Sequence, residues 1–558
     1  MTPRRSDALA LLTVFSIGVF LAGLELMITA VALPVIIVDL ADWTRLREAS
    51  WIVNGYLLAY VVTMPLAGRL TDLWGARRLF LGALVVFTLG SFLAGRAQSL
   101  EELVLGRIVQ AIGGGALVPV ATAAASHLFG GPARPRALGV IGALTFLGMA
   151  AGPFVGAAIL GTFHPEALLG RAGIADTSSL AQAIAPAWRW VFYLNVPVGF
   201  AALILGWAAS SEWESERRAG RIDIGGAILF SLALIGGLGA LTLLGSRSPM
   251  FGIEPGVLMV ILAVVGVVAT ALVIVRGLTV ADPFLDTRLF GRLAFTSAAV
   301  VSLLTGYALA TAIVGGAVFV DRVLYGGPDE QRLTLGALAG ATAAGALLSG
   351  LIVRRIPLSM VTLIGLGASA LGLWRMASWT PTTSIGEAAL WLGLFGAGFG
   401  LTVTPRSTAA IESAGRGAYG VASATVTVAR MVGMAIGLAI LTAYGSTTID
   451  RLYDRVYATP TSYQQFIPAD LRDRPLEDGL VVDALERWAA GEAARIMVGI
   501  VAVAAILTVV AVIPALLLDR DRRMLRRDAA ADARVADRSA DGRGGLRDDD
   551  VESPTLAL

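Results

Sequence analysis

The 558-residue chain has no cysteine, no lysine and only two histidines. Without cysteine there is no disulfide, no thiolate metal site and no cysteine nucleophile. His127 and His164 are too few and too far apart to form a metal site, and each is expected at a helix end near water. All 43 basic residues are arginine, a bias to which no function attaches. Charge of either sign is scarce: 15% of residues are charged, and 43 basic against 41 acidic residues leave a net charge of +2, which offers nothing to nucleic acid. No hydrolytic triad, phosphate loop or metal cluster is visible, and no polar stretch is long enough for a soluble catalytic domain. An enzyme is therefore disfavoured, and neither a cofactor nor a metal is expected. What the chain has in abundance is apolar surface. With 56% hydrophobic residues and a mean hydropathy of +0.76, it carries far more than a soluble core of this length needs.

Apolar runs of about 20 residues, the length that crosses a bilayer, fall near residues 9–38, 49–68, 79–96, 102–126, 137–161, 189–210, 224–244, 256–275, 294–320, 334–353, 359–379, 387–405, 419–445 and 493–518. These fourteen runs predict an all-α polytopic membrane protein with both ends on one side. Arg4 and Arg5 precede the first run with no small-residue cleavage site after it, so it reads as a membrane helix and not a cleaved signal. Arg69, Arg77, Arg78, Arg134, Arg136, Arg217, Arg218, Arg221, Arg276, Arg288, Arg292, Arg354 and Arg355 fall in alternate loops on the side of the N-terminus. The positive-inside rule then places both termini in the cytoplasm.

A few residues sit where lipid penalises them. Glu25 lies near the middle of the first run, where a carboxylate costs about 2.5–3.5 kcal/mol. It is expected to face the bundle interior, either as a group that loads and releases a proton or as a structural partner of an arginine. Arg107 and Gln110 precede Gly113, Gly114 and Gly115 in the fourth run. An arginine there must find a carboxylate, carbonyls or water. Arg430, one turn before Gly433, either meets a carboxylate in a central cavity or snorkels to the cytoplasmic face, while Glu412 reads as a solvated loop charge. The fifth run is interrupted by Gly139, Gly142, Gly148, Gly152 and Gly156, with Pro153 beside Gly152. In water Gly costs a helix about 1 kcal/mol relative to Ala, and Pro about 3. In a bilayer the helix survives and offers its glycine face to neighbours, as a moving part or as a static packing surface. After the second run, residues 68–78 read as a tight loop in which Asp72 caps the next helix or pairs with a basic group across an interface.

With Gly68, Asp72, Gly75 and the basic pair Arg77 and Arg78 at their spacing, this loop resembles the signature of the major facilitator superfamily. The resemblance implies that it latches two halves of the molecule through Asp72 and Arg77. Leu73 and Ala76 stand where basic residues are usual, which implies a weaker latch. Arg107 resembles the arginine of a fourth-helix motif associated with proton transfer, so Glu25 and Arg107 are the candidate proton-coupling pair. Gly139, Gly148, Gly152, Pro153 and Gly156 resemble the fifth-helix motif of exporters that exchange substrate against protons. The run from Trp188 to Val198 resembles the sixth-helix entry of the fourteen-helix drug:proton antiporters; on physical grounds alone it is an interfacial aromatic belt.

The implied major-facilitator fold has a six-helix bundle over 1–210, two inserted helices over 211–292, a second six-helix bundle over 293–518 and a disordered cytoplasmic tail over 519–558. The second half resembles the family more faintly. Gly350 precedes Arg354 without the acidic residue that a repeat of the loop would carry, whereas Gly433 and Gly437 echo Gly148 and Gly152.

Residues 446–492 form the one large external loop. Amphipathic segments around Ile449–Tyr457 and Val481–Ala489 either prolong the membrane helices outward or lie on the outer leaflet. They shield a greasy substrate, dock an accessory protein or form a plain variable loop. The expected function is proton-driven export of hydrophobic or amphipathic small molecules from the cell by alternating access, with lipids or lipid-linked compounds as the alternative cargo. A non-transporting sensor or scaffold is a third reading, disfavoured because a scaffold has no need of intramembrane charge. Protons and membrane lipids are the other expected partners, and nucleic acid is not one.

Overall fold

The computed structural model describes residues 5–40, 51–130, 133–163, 165–166, 184–209, 223–243, 253–456, 462–475 and 478–520. Fourteen of its helices are long and apolar enough to cross a membrane, as the apolar runs predict. They are α1 (Arg5–Leu40), α2 (Trp51–Trp74), α3 (Ala76–Arg96), α4 (Leu100–Leu128), α5 (Arg134–Thr162), α6 (Arg189–Ala209, interrupted at Leu194), α7 (Ile224–Thr242), α8 (Pro255–Thr279), α9 (Leu293–Arg322), α10 (Pro328–Ile352), α11 (Leu358–Met376), α12 (Ile385–Ala414), α13 (Tyr419–Val456) and α14 (Gly479–Val510). Local chemistry sets many of their ends. The hydroxyls of Ser99 and Ser384 each accept a backbone N–H three residues on, from Glu102 and Glu387, at 3.2 Å. Pro135, Pro255 and Pro328 stand in first turns, where no N–H is missed. Gly75 and Gly415 have φ of 92° and 81°, and there the chain turns out of α2 and α12.

Helices α1–α6 and α9–α14 form two six-helix bundles with the same internal plan. The contacts of α1 with α5, α2 with α4 and α3 with α4 recur as α9 with α13, α10 with α12 and α11 with α12. This is the arrangement of a parallel repeat. Two seams join the halves, α2 against α13 and α5 against α10. The inserted α7 and α8 meet at Gly236 and Gly266, and Leu234 and Leu238 carry α7 onto the α2–α13 seam. On α8, Val257, Val260, Val264 and Val267 remain exposed, as suits a lipid-facing helix.

Several boundaries differ from expectation, each for a visible reason. Residues 68–74 are not loop: α2 runs to Trp74, and only Gly75 breaks the chain before α3. α12 continues past Pro405 to Ala414, which carries Arg406 inside the helix and puts Glu412, half-buried, on its last turn rather than in a loop. The external segments do not lie flat. α13 extends to Val456 and α14 begins at Gly479, so both continue their spans as helix into this segment, and Val456, Tyr463, Ile467, Leu471 and Val481 give it a small apolar core of its own. Asp519, expected to open a disordered tail, is buried and caps α11, accepting N–H groups from Leu358 at 3.1 Å and Ser359 at 2.8 Å. The tail from 521, Arg4, Arg217, Arg218, Arg221 and His164 lie outside the described residues. His127 sits in the last turn of α4, its ring 4.9 Å from that of Tyr419.

Candidate functional site

Glu25 is completely buried on α1 and is the centre of a polar cluster drawn from five helices. The Arg107 guanidinium on α4 forms an ion pair with its Oε1 through Nη1. Thr29, one turn on, donates to the same oxygen at 3.0 Å, and the Asn195 amide on α6 donates to Oε2 at 2.6 Å. Arg107 is held in turn: Nη1 donates to Gln110 Oε1 at 2.7 Å, and Nε to the Ile52 carbonyl of α2 at 3.3 Å. Gln110 passes the network on to Ser91 on α3 at 2.8 Å. The guanidinium also lies over the Tyr56 ring, 3.8 Å from its centroid, a cation–π contact in a desolvated setting. Tyr56 stacks on Tyr60, ring centroids 5.7 Å apart.

The glycines of α4 make this cluster possible. A side chain at Gly113 would meet the backbone of Phe87 on α3, and one at Gly115 the backbone of Tyr60 on α2. Their absence lets α2 and α3 close on α4 and brings Tyr56, Ser91 and Arg107 together.

Two arginines of the second half contrast with Arg107. Arg406 on α12 is 2% exposed and is held by neutral groups: Nε donates to the Thr402 carbonyl at 2.9 Å, and Nη1 to the Thr305 hydroxyl of α9. Arg430 on α13 lies 5.4 Å from the centroid of Phe146, a residue of α5 in the other half, and its buried Nε has no hydrogen-bond partner. No carboxylate contacts either guanidinium among the described residues.

At the arginine-rich end the halves are in contact. Asp72, on the last turn of α2, does not cap α3. Its carboxylate reaches across the seam and accepts the Gly420 and Val421 N–H groups at 2.7 and 3.0 Å, capping the N-terminus of α13. Gly68 packs on the Gly420 backbone and Ser423 donates to the Pro119 carbonyl at 2.9 Å. On the other seam Gly139 rests against Gly350 and Ala346 of α10. Farther along α5, Gly148 meets the Phe20 carbonyl and Gly152 the backbone of Leu24 and Ile28, both on α1 and flanking Glu25. Gly433 and Gly437 meet Leu303 and Tyr307 of α9 in the same way.

Compared with known families, residues 15–438 match the model of the Major Facilitator Superfamily. The chain belongs to that superfamily. Among similar superfamily members is a triacylglyceride transporter of Mycolicibacterium hassiacum, 30% identical over 83% of this chain and 84% of that protein. Multidrug resistance protein 3 of Bacillus subtilis is 28% identical over 76% of this chain and 77% of that one. The solved fucose:proton symporter of E. coli superposes with a TM-score of 0.52, covering 91% of this chain and 98% of that one at 12% identity, which speaks to the major-facilitator fold. This chain is accordingly a multi-pass membrane transporter.

Within this superfamily fold, the sequence-selected Glu25 and Arg107 touch, and Asp72 reaches the other half. Arg77 and Arg78 follow Gly75 in the first turn of α3. Asn195, Thr29, Tyr56 and Tyr60 were not singled out by sequence, although Asn195 lies within the run 188–198. Arg189 of that run donates to the Gly95 and Ala97 carbonyls at 2.9 and 2.6 Å and so closes the end of α3. Arg406 was missed because Pro405 looked like the end of a span.

Proposed function

We propose that this transporter exports hydrophobic or amphipathic compounds in exchange for protons, by alternating access, with both termini in the cytoplasm. The observation that carries the reading is Glu25, a fully buried carboxylate in a membrane-crossing bundle, bonded at both oxygens by Arg107, Thr29 and Asn195. Ionised, it ties α4 and α6 to α1. A proton arriving at Glu25 removes the charge that holds Arg107 and leaves the guanidinium to Gln110 and Tyr56. Leu24 and Ile28, one residue before Glu25 and three after it on α1, are among those on which Gly152 of α5 rests. Loading of the proton therefore acts on the surface along which α5 moves, and α5 carries one of the two seams. The supply is adequate: a proton moved down 100 mV releases about 2.3 kcal/mol, and each pH unit adds about 1.4.

Lipid is the second reading of the cargo. It is favoured by the outward prolongation of α13 and α14 over an apolar core, and by the name of the Mycolicibacterium relative. Proteoliposomes with an imposed pH gradient test both readings, using a lipophilic dye and a fluorescent triacylglycerol. Gradient-driven movement of either that is lost in Glu25→Gln supports proton exchange and identifies the cargo. Movement of both that is indifferent to the gradient and to the substitution would refute it.

A further inference from the structure

We propose that Arg406 and Arg430 hold the acidic headgroup of an anionic amphipathic substrate, a carboxylate or phosphate on an apolar tail, in the seam between the two halves. The inference rests on the transport reading and adds the substrate's charge. Two cations inside a membrane protein, Arg406 2% exposed and Arg430 half-buried with an unpartnered Nε, and neither with a contacting carboxylate among the described residues, are costly unless an anion joins them. Thr305 and Gly306 are neighbours on α9; the first bonds the Arg406 guanidinium and the second packs on the Arg430 backbone.

The geometry also shows what surrounds the head. Arg406 lies 5.3 Å from the Phe399 centroid and Arg430 5.4 Å from the Phe146 centroid, and the two rings meet edge to face at 5.4 Å. Phe146 belongs to α5 and Phe399 to α12, so the cations flank an aromatic junction between the halves. Tyr60 shares an apolar cluster with Val428 and Met431, which lie beside Arg430 on α13, and so brings α2 to the same place. Guanidinium forks match carboxylate and phosphate oxygens. The methionine-bearing apolar cluster around Phe146 and Phe399 is adaptable enough for a tail of loose specification. A site at the seam, built from both halves, is where an alternating-access protein binds its cargo.

The test is equilibrium binding to the purified full chain in phosphatidylcholine nanodiscs, with no gradient. The probes are dansyl-undecanoic acid and its methyl ester, which differ in charge and little else. The wild type is expected to bind the acid at least tenfold tighter than the ester. Arg430→Gln brings that ratio to within twofold, and Arg430→Lys restores most of it. Among the described residues Arg430 donates no side-chain hydrogen bond, so these variants keep their fold. Displacement by oleate points to a lipid source and displacement by naproxen to a drug-like acid. Displacement by neither, equal binding of acid and ester, or a preference that survives Arg430→Gln overturns the proposal. Because the assay needs no proton, an acid preference beside failed gradient-driven movement removes the exchange reading and leaves this site standing.

Discussion

Arg107 and Arg406 lie about two turns in from opposite ends of corresponding helices, α4 and α12. Both are 2% exposed. One is neutralised by Glu25 and embedded in donors and acceptors from five helices; the other has a carbonyl, a hydroxyl and a phenyl ring. A repeat that conserves its helix contacts has thus been loaded asymmetrically. On the fourth helix of the first half the arginine meets a carboxylate, whereas on that of the second half no carboxylate contacts it among the described residues.

The sharpest way to break this comparison is to remove each charge in turn. Arg107→Met strands a buried carboxylate and should cost about 3–5 kcal/mol of stability. Arg406→Met strands nothing charged and should be neutral within about 1 kcal/mol, or stabilising, in ligand-free protein. Thermal unfolding in detergent reads both. Equal losses would mean that Arg406 has a counter-charge and that the asymmetry is false.

The glycine faces allow a smaller contrast on one helix. Gly148→Ala places a methyl group on the Phe20 carbonyl, and Gly433→Ala repeats the insult against Leu303 in the other half, so each should cost about 1–3 kcal/mol. Gly161→Ala, on the same α5 but facing open space, should be neutral or gain up to about 1 kcal/mol from helix propensity. If all three behave alike, close approach is not what selects glycine there.

Smaller again is the contact across the α2–α13 seam. Asp72→Asn keeps the shape of the cap and removes its charge from the N-terminus of α13, worth about 1 kcal/mol. That is about a fivefold change in the balance between closed and open seams. Spin labels at Trp74 and Ala418, in a chain with no cysteine of its own, would report a growing long-distance population. An unchanged distance distribution would reduce Asp72 to a local cap.

The fold was legible because lipid imposes a length and a composition on every span, and fourteen runs met both conditions. The ends were less so. Pro405 and the glycines at 68 and 75 look like breaks, yet only Gly75, with its positive φ, is one. Of the site, the charges in lipid announced themselves: Glu25 and Arg107 are costly in a membrane unless something satisfies them, whether their role is proton transfer or structure. Asn195, Thr29 and Tyr56 did not, since a neutral polar or aromatic residue in a helix is commonplace, and only three-dimensional proximity gives them a role. Asp519 was hidden for the opposite reason, a structural carboxylate at the head of a charged tail.

Asp223 offers the mildest test, because it acts within the inserted pair and away from the seams. It caps its own helix, accepting the Gly226 N–H at 2.9 Å, and is bonded by Arg276 of α8 at 2.8 Å and by the Phe284 N–H at 3.2 Å. Burial pushes its carboxyl up, but the Arg276 guanidinium and the two backbone N–H groups outweigh that and hold it below the ordinary aspartate value. A depressed carboxyl contributes stability above its unfolded pKa and loses it as pH falls through the folded one. The wild type should therefore exceed Asp223→Asn by no more than about 1 kcal/mol across neutral pH, and the gap should close only below about pH 4. Transport should be unaffected, because the Asp223 cap lies about three turns along α7 from Leu234, the nearer of the two residues that meet the α2–α13 seam. A gap that persists in acid would mean that shape rather than charge holds α7 to α8, and lost transport would make the inserted pair part of the moving machinery.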